Sequence, residues 1–115
     1  MAKDLAIVPL FDLYGGMLTE KQRDVMDLYY NEDLSLSEIA QETDISRQGV
    51  RDIIQRAEAL LLDYEKKTGI VSRFLKMQAD VAEVESGLEK ILALSDGVVH
   101  STAEEVMKKV QELKG

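Results

Sequence analysis

Apolar residues return along this chain at spacings of three and four, the period of helices with one buried face. In IVPLFDLYGGML, Leu10, Phe11 and Tyr14 fall on one such face and Gly15-Gly16 ends it. Pro9 belongs in a first turn, where its missing N–H is no loss, so residues 4–8 are expected as a separate turn or a kinked extension. Thr19-Glu20-Lys21-Gln22 has the form of a capping box, Thr19 accepting from the backbone and Gln22 reaching back, and opens a second helix. Val25, Met26, Leu28 and Tyr29 make its inward stripe, Tyr30 a partly wet edge, and Asn31 its approximate end.

Ser35-Leu36-Ser37-Glu38 is a second capping box, for a helix with Leu36, Ile39 and Ala40 inward that stops near Thr43-Asp44. Ser46 caps the next helix, whose inward positions are expected at Val50, Ile53, Ala57, Leu60, Leu61 and Tyr64. It runs to Lys66-Lys67, cations suited to a helix C-terminus, and Gly69 stops it. Two helices joined by Thr43-Asp44-Ile45 form the helix-turn-helix pattern. Ala40 is small where the helices cross, Ile45 plugs the gap below them, and Asp44 takes the left-handed turn position.

Beyond Gly69, Ile70, Phe74, Met77, Val81, Val84, Leu88 and Ile91 alternate at spacings of four and three, a heptad-like stripe on an otherwise polar helix. Such a stripe must be covered. It packs either on the helix-turn-helix unit or on a second copy as a homodimer seam, and the pattern leaves both open. Ser95-Asp96-Gly97 closes this helix, and Ser101-Thr102 with Glu104-Glu105 is expected to begin a last one, with Val106, Val110 and Leu113 inward. The chain thus reads as all-α: a helix-turn-helix domain over residues 1–68 and a helical extension over 69–115, used for packing or dimerisation.

Composition narrows the chemistry. The 115 residues contain no Cys, so disulfides, thiolate metal sites and Cys nucleophiles are excluded. The only His, His100, is expected in a surface loop without a second ligand or base nearby in sequence, and Gly15-Gly16 follows a helix where a phosphate loop would follow a strand. No enzyme activity, metal or cofactor is expected. MAKDLAIVPLFDL lacks the pattern of a signal peptide, and no apolar run approaches the roughly 18 residues of a membrane span, so a cytoplasmic protein is expected.

The formal net charge of −8 opposes non-specific binding to phosphates. Between Ser46 and Arg56, however, three Arg stand against one acid, Asp52. The outward face of this helix carries Arg47, Gln48, Arg51, Asp52 and Gln55; Arg and Gln suit bidentate contact with purine edges, and the helix N-terminus favours a phosphate. Lys21 and Arg23 could add backbone contacts. The candidate nucleic-acid-binding set is therefore Ser46, Arg47, Gln48, Arg51, Gln55 and Arg56, with Lys21 and Arg23.

LTEKQRDVMDLYYNEDLSLSEIAQETDISRQGVRDIIQRAEALL resembles region 4 of bacterial sigma factors, which read promoter DNA. The combination FDLYGG…LTEKQR…LYY..DLSLSEIA…SRQGV, over about residues 10–68, is similar to the small YlxM-type helix-turn-helix family. That resemblance implies a sigma-region-4-like fold with a helical tail, and a role in or regulation of the signal recognition particle pathway, because the family's genes lie beside those of the particle's GTPase or its receptor. Carried over from sigma region 4, Ser46, Arg47, Gln48, Arg51 and Gln55 lie on the reading face. Ile53 departs from that pattern, where sigma factors often carry a basic residue, and Gly49 departs from the YlxM-type pattern, where Ala is usual. Three functions follow as expectations: a nucleic-acid-binding regulator whose target is DNA or the particle's RNA, an adaptor that binds the particle's protein or RNA components, or a promoter-binding repressor with a two-half-site operator.

Overall fold

A computed structural model describes residues 2–115, and among them helices are the only regular elements. They are α1 (Ile7–Tyr14), a 3-10 turn (Gly15–Met17), α2 (Glu20–Tyr30), α3 (Leu36–Thr43), α4 (Arg47–Thr68), α5 (Ile70–Leu94) and α6 (Gly97–Lys114). Pro9 sits in the first turn of α1, as its chemistry requires, but Ile7 and Val8 already belong to the helix. The chain divides into two compact units, one ending at Val71 and one spanning Ser72–Gly115.

In the first unit, α1, α2 and α3 pack on α4. Both capping boxes are formed. Thr19 Oγ1 accepts from the Gln22 N–H at 3.2 Å while Gln22 Oε1 accepts from the Thr19 N–H at 3.0 Å, and Ser35 and Glu38 repeat the exchange at 3.1 and 3.0 Å. Ile7, Val25, Met26, Ile39, Val50, Ile54 and Leu61 are the large side chains fully out of water. The stripe of α4 is Val50, Ile54, Ala57 and Leu61, so the central isoleucine is Ile54, with Ile53 and Tyr64 partly buried beside it and Leu60 exposed. Measured from Val50 around the helix, Ile54 and Ile53 lie about 40° and 60° to opposite sides. Which of the two faces the core depends on where α1 and α2 pack, and periodicity within one helix does not contain that.

The end of α4 is tied to α1. The Tyr14 hydroxyl reaches Glu65 Oε1 at 2.7 Å and Thr68 Oγ1 at 2.5 Å. The same Glu65 oxygen accepts from the Val71 N–H at 3.0 Å, satisfying an otherwise open donor in the first turn of α5. Gly69 makes this junction in the left-handed conformation, φ 62°.

In the second unit, the C-terminal end of α6 lies beside the N-terminal half of α5, where Leu113 and Lys114 share a groove with Phe74, Met77 and Val81. The two helices therefore form an antiparallel hairpin, clasped by an ion pair of Lys114 Nζ with Glu85 at 2.9 Å. α6 begins at Gly97 instead of near Ser101. The Ser101 hydroxyl is not a cap: it donates back to the carbonyls of Gly97 and Val98 within the helix. His100 is accordingly helical and not in a loop, with Nδ1 3.2 Å from the Ser95 carbonyl and Nε2 2.9 Å from Glu104. The buried positions of α6 are Ala103 and Val110, while Val106 and Leu113, expected inward, are exposed.

Candidate nucleic-acid interface

The turn between α3 and α4 is built from short-range bonds. Asp44 holds φ 58°, ψ 31°, the left-handed position expected of it. The Thr43 hydroxyl donates to the Ile39 carbonyl at 2.7 Å, closing α3, and Ser46 Oγ accepts from the Gly49 N–H at 3.0 Å, opening α4. Gly49 has a packing reason absent from any propensity scale. A Cβ there would lie 2.9 Å from Ile45 Cγ2 and 3.0 Å from Ser46 Oγ, so the side chain that plugs the turn presses directly on the helix backbone.

The first turns of α2 and α3 each carry a glutamate, Glu20 and Glu38, which complements the positive end of the helix. The Ser35 backbone N–H, donating to the Glu38 carboxylate, holds that acid below its ordinary pKa. The first turn of α4 holds no acid and begins with Arg47. Its positive end therefore keeps its preference for an outside anion.

At about 100° per residue, Arg47, Arg51, Gln55 and Gln48 occupy one arc of about 100° on the exposed side of α4. All four are exposed, and among the described residues no ion pair engages Arg47, Arg51 or Arg56. Asp52, next along the arc, accepts from Gln48 Nε2 at 3.1 Å, so the one acid on this face is occupied by a neutral neighbour and leaves the arginines alone. Ser46 is the cap; its oxygen is used by Gly49 while its hydroxyl proton remains available to an acceptor.

Three further cations fall in different places. Lys21 lies in a groove of α2 with Glu20, Asp24, Thr43 and Ile45, beside the turn. Arg23 instead lines a groove with Phe11, Gly15 and Gly16 on the α1 side. Arg56 sits with Gln22 and Leu60 on the far flank of α4, about 140° from Arg51 around the helix. The structure thus keeps Arg47, Gln48, Arg51 and Gln55 on one arc of α4 after the Ser46 cap, places Lys21 beside the preceding turn, and sets Arg23 and Arg56 apart. The displacement of Arg56 follows from the period of α4 itself, whereas that of Arg23 depends on how α1 and α2 pack, for which the sequence pattern carried no signal.

The tail residues singled out by the stripe are not a closed core. Phe74, Met77, Val84 and Ile91 are exposed, Val81 and Leu88 partly covered, and Ile70 exposed at the start of α5. On the same side of α4 as Arg51 and two turns beyond it, burial pushes Tyr30 up to about 12 and raises the neighbouring Glu58 carboxyl as well. These two groups tie α4 to the end of α2, and the Asp4 N–H donates to the Tyr30 hydroxyl oxygen at 3.4 Å. Among the described residues no group of three or more His, Asp or Glu could hold a metal ion, and no helix is long and apolar enough to cross a membrane.

A family model described as "Putative helix-turn-helix protein, YlxM / p13 like" (UPF0122) matches residues 1–95. UPF0122 proteins of Clostridium kluyveri and Halalkalibacterium halodurans are each 40% identical to this chain over 111 residues, 96% of its length and 94% of theirs. A UPF0122 protein of Bacillus cereus is 42% identical over 104 residues, 90% of either chain. The match takes in every residue of the capped α3–turn–α4 pair, and the chain belongs to UPF0122, a family of helix-turn-helix proteins and not an enzyme family.

Proposed function

We propose that this protein is a cytoplasmic regulator that binds duplex DNA through the N-terminal half of α4. The observation that carries the reading is the arc of Arg47, Arg51 and Gln55, exposed and, among the described residues, clear of ion pairs on a chain whose net charge is −8. An acidic protein that leaves arginines unpaired beside a helix N-terminus has kept local positive potential where an anion would dock. B-form DNA admits a helix into its major groove, whereas the major groove of A-form RNA is too deep and narrow for side chains to read. In this pose Arg47 and Lys21 take phosphates, Arg51 and Gln55 face base edges, and Ser46 donates to the backbone at the helix start. The pathway it regulates is that of the signal recognition particle, a link supported by the family resemblance.

The test is binding of the purified protein to duplex DNA and to a signal-recognition-particle-type RNA hairpin, at low and at physiological salt. Arg51→Ala should weaken DNA binding roughly tenfold or more, the ~1–3 kcal/mol of a lost bidentate base contact. Binding only to the RNA hairpin would move the target to the particle itself. Absence of binding to either at low salt would replace this reading with that of a protein adaptor.

A further inference from the structure

The hairpin of α5 and α6 spans 44 residues, and Ala103 and Val110 are its only buried apolar side chains. A unit of that size with so little core needs a further surface to hold its shape. Phe74, Leu75, Leu94 and Val98 apart, the uncovered positions fall into two columns. On α5, Ile70, Met77, Val84 and Ile91 recur every seven residues, at 45%, 62%, 51% and 46% exposure. On α6, Val99, Val106 and Leu113 recur every seven residues too, at 61%, 44% and 70%. Of the alternate columns, Val81 and Leu88 on α5 and Ala103 and Val110 on α6 are covered wholly or in part, while Phe74, which begins the α5 column, is exposed. Each helix thus uses one column of its heptad seam inside the hairpin and leaves the other open. Met77 and Leu113, one from each open column, line the same groove, so the two columns lie on one face there. Half of a four-helix bundle has this form.

Charge identifies what completes it. In the half of the hairpin away from the α5–α6 turn (residues 72–83 and 106–115), Arg73, Lys76, Lys108, Lys109 and Lys114 stand against Asp80, Glu83 and Glu112. In the half nearer the turn (residues 84–105), Glu85, Glu89, Asp96, Glu104 and Glu105 stand against Lys90 alone. Within one hairpin Lys76 pairs with Asp80, Lys109 with Glu112 and Lys114 with Glu85, and what these pairs leave over is an excess of positive charge in the first half and of negative charge in the second. A second copy laid antiparallel sets the positive half of each against the negative half of the other, and a two-fold axis makes the contact self-complementary. We propose that two copies of this chain associate through their α5–α6 hairpins, antiparallel, to form a four-helix bundle closed by the open heptad columns.

The full-length protein tests this by sedimentation equilibrium. The expected mass is twice the 12.9 kDa of the chain, with association weakening as salt rises. Met77→Glu with Val106→Glu, which charges both open columns, should weaken association at least a hundredfold. Two charge-reversal variants then set the orientation: Lys76→Glu with Lys109→Glu, and Glu89→Lys with Glu105→Lys. Each should weaken self-association at least tenfold, and an equimolar mixture of the two should regain dimer, which also shows that both variants fold. A wild-type chain that stays monomeric at the highest attainable concentration overturns the proposal and leaves the face to a foreign partner. So does undiminished dimerisation of the variants, or a mixture that remains monomeric while circular dichroism shows intact helices.

Discussion

Tyr30 shows how a single side chain joins α2 to α4, two turns beyond Arg51. Its ring packs edge-on against Tyr29 with centroids 5.1 Å apart, and its hydroxyl lies between the Asp4 N–H and the Glu58 carboxyl. Burial is the main reason its pKa rises to about 12 from the usual value near 10, since a phenolate there would lose water without gaining a cation. In the unfolded chain Tyr30 gives up its proton first. Between about pH 10 and 12 the folded state therefore binds more protons, and stability falls as pH rises through that window. Tyr29, also raised by burial, loses stability in the same direction. Urea unfolding at stepped alkaline pH should show this loss, and Tyr30→Phe should make it shallower while changing stability little at neutral pH. An unchanged slope in the variant would mean that other groups govern the alkaline limit.

At the scale of the element, α4 is both the centre of the core and the proposed reading helix, and the two roles occupy adjacent sides, their centres about 100° apart around the helix. Ile54 has no exposed surface, so Ile54→Ala should cost about 2–5 kcal/mol through lost burial and the cavity left behind, as read by urea denaturation. Leu60→Ala, at an exposed position, should stay within about 1 kcal/mol. Equal costs would return the stripe to the arrangement that periodicity alone suggests. Features closed by bonds between residues a few places apart were readable from sequence: both capping boxes, the left-handed Asp44, the Ser46 cap and the arc of Arg47, Gln48, Arg51 and Gln55. Features decided by a distant partner were not. Ile54 in place of Ile53 depends on α1 and α2, as does the displacement of Arg23 from the face, whereas that of Arg56 was legible in the period of α4. The Tyr14–Glu65–Thr68 link joins residues more than fifty positions apart. The early start of α6 was hidden by Ser101, whose hydroxyl is as good at bonding back within a helix as at capping one. The close approach of Ile45 to Gly49 was hidden because a helix interior gives glycine no local reason to be there.

Over the whole molecule, charge decides how strongly so small an interface can hold nucleic acid. The chain carries 22 acids and 14 Lys and Arg, and a polyanion meets repulsion over most of its surface. What remains for phosphates is Arg47 and Lys21, with Arg51 shared between backbone and base, so at most about three counterions are released on binding. The logarithm of the DNA association constant should therefore fall with the logarithm of salt concentration at a slope no steeper than about −3 per chain, from about −0.9 for each phosphate neutralised. A basic repressor of equal size would show a steeper slope and appreciable affinity for any sequence, whereas here most affinity must come from base contacts, and random duplex should be bound weakly even at low salt. Fluorescence anisotropy over a salt series, on selected and random duplexes, measures both quantities. A slope near −6 would recruit Arg23, Arg56 or the lysines of α6 to the interface. It would also mean that the acidic surface is turned away from the duplex to an extent that the α4 face alone does not require.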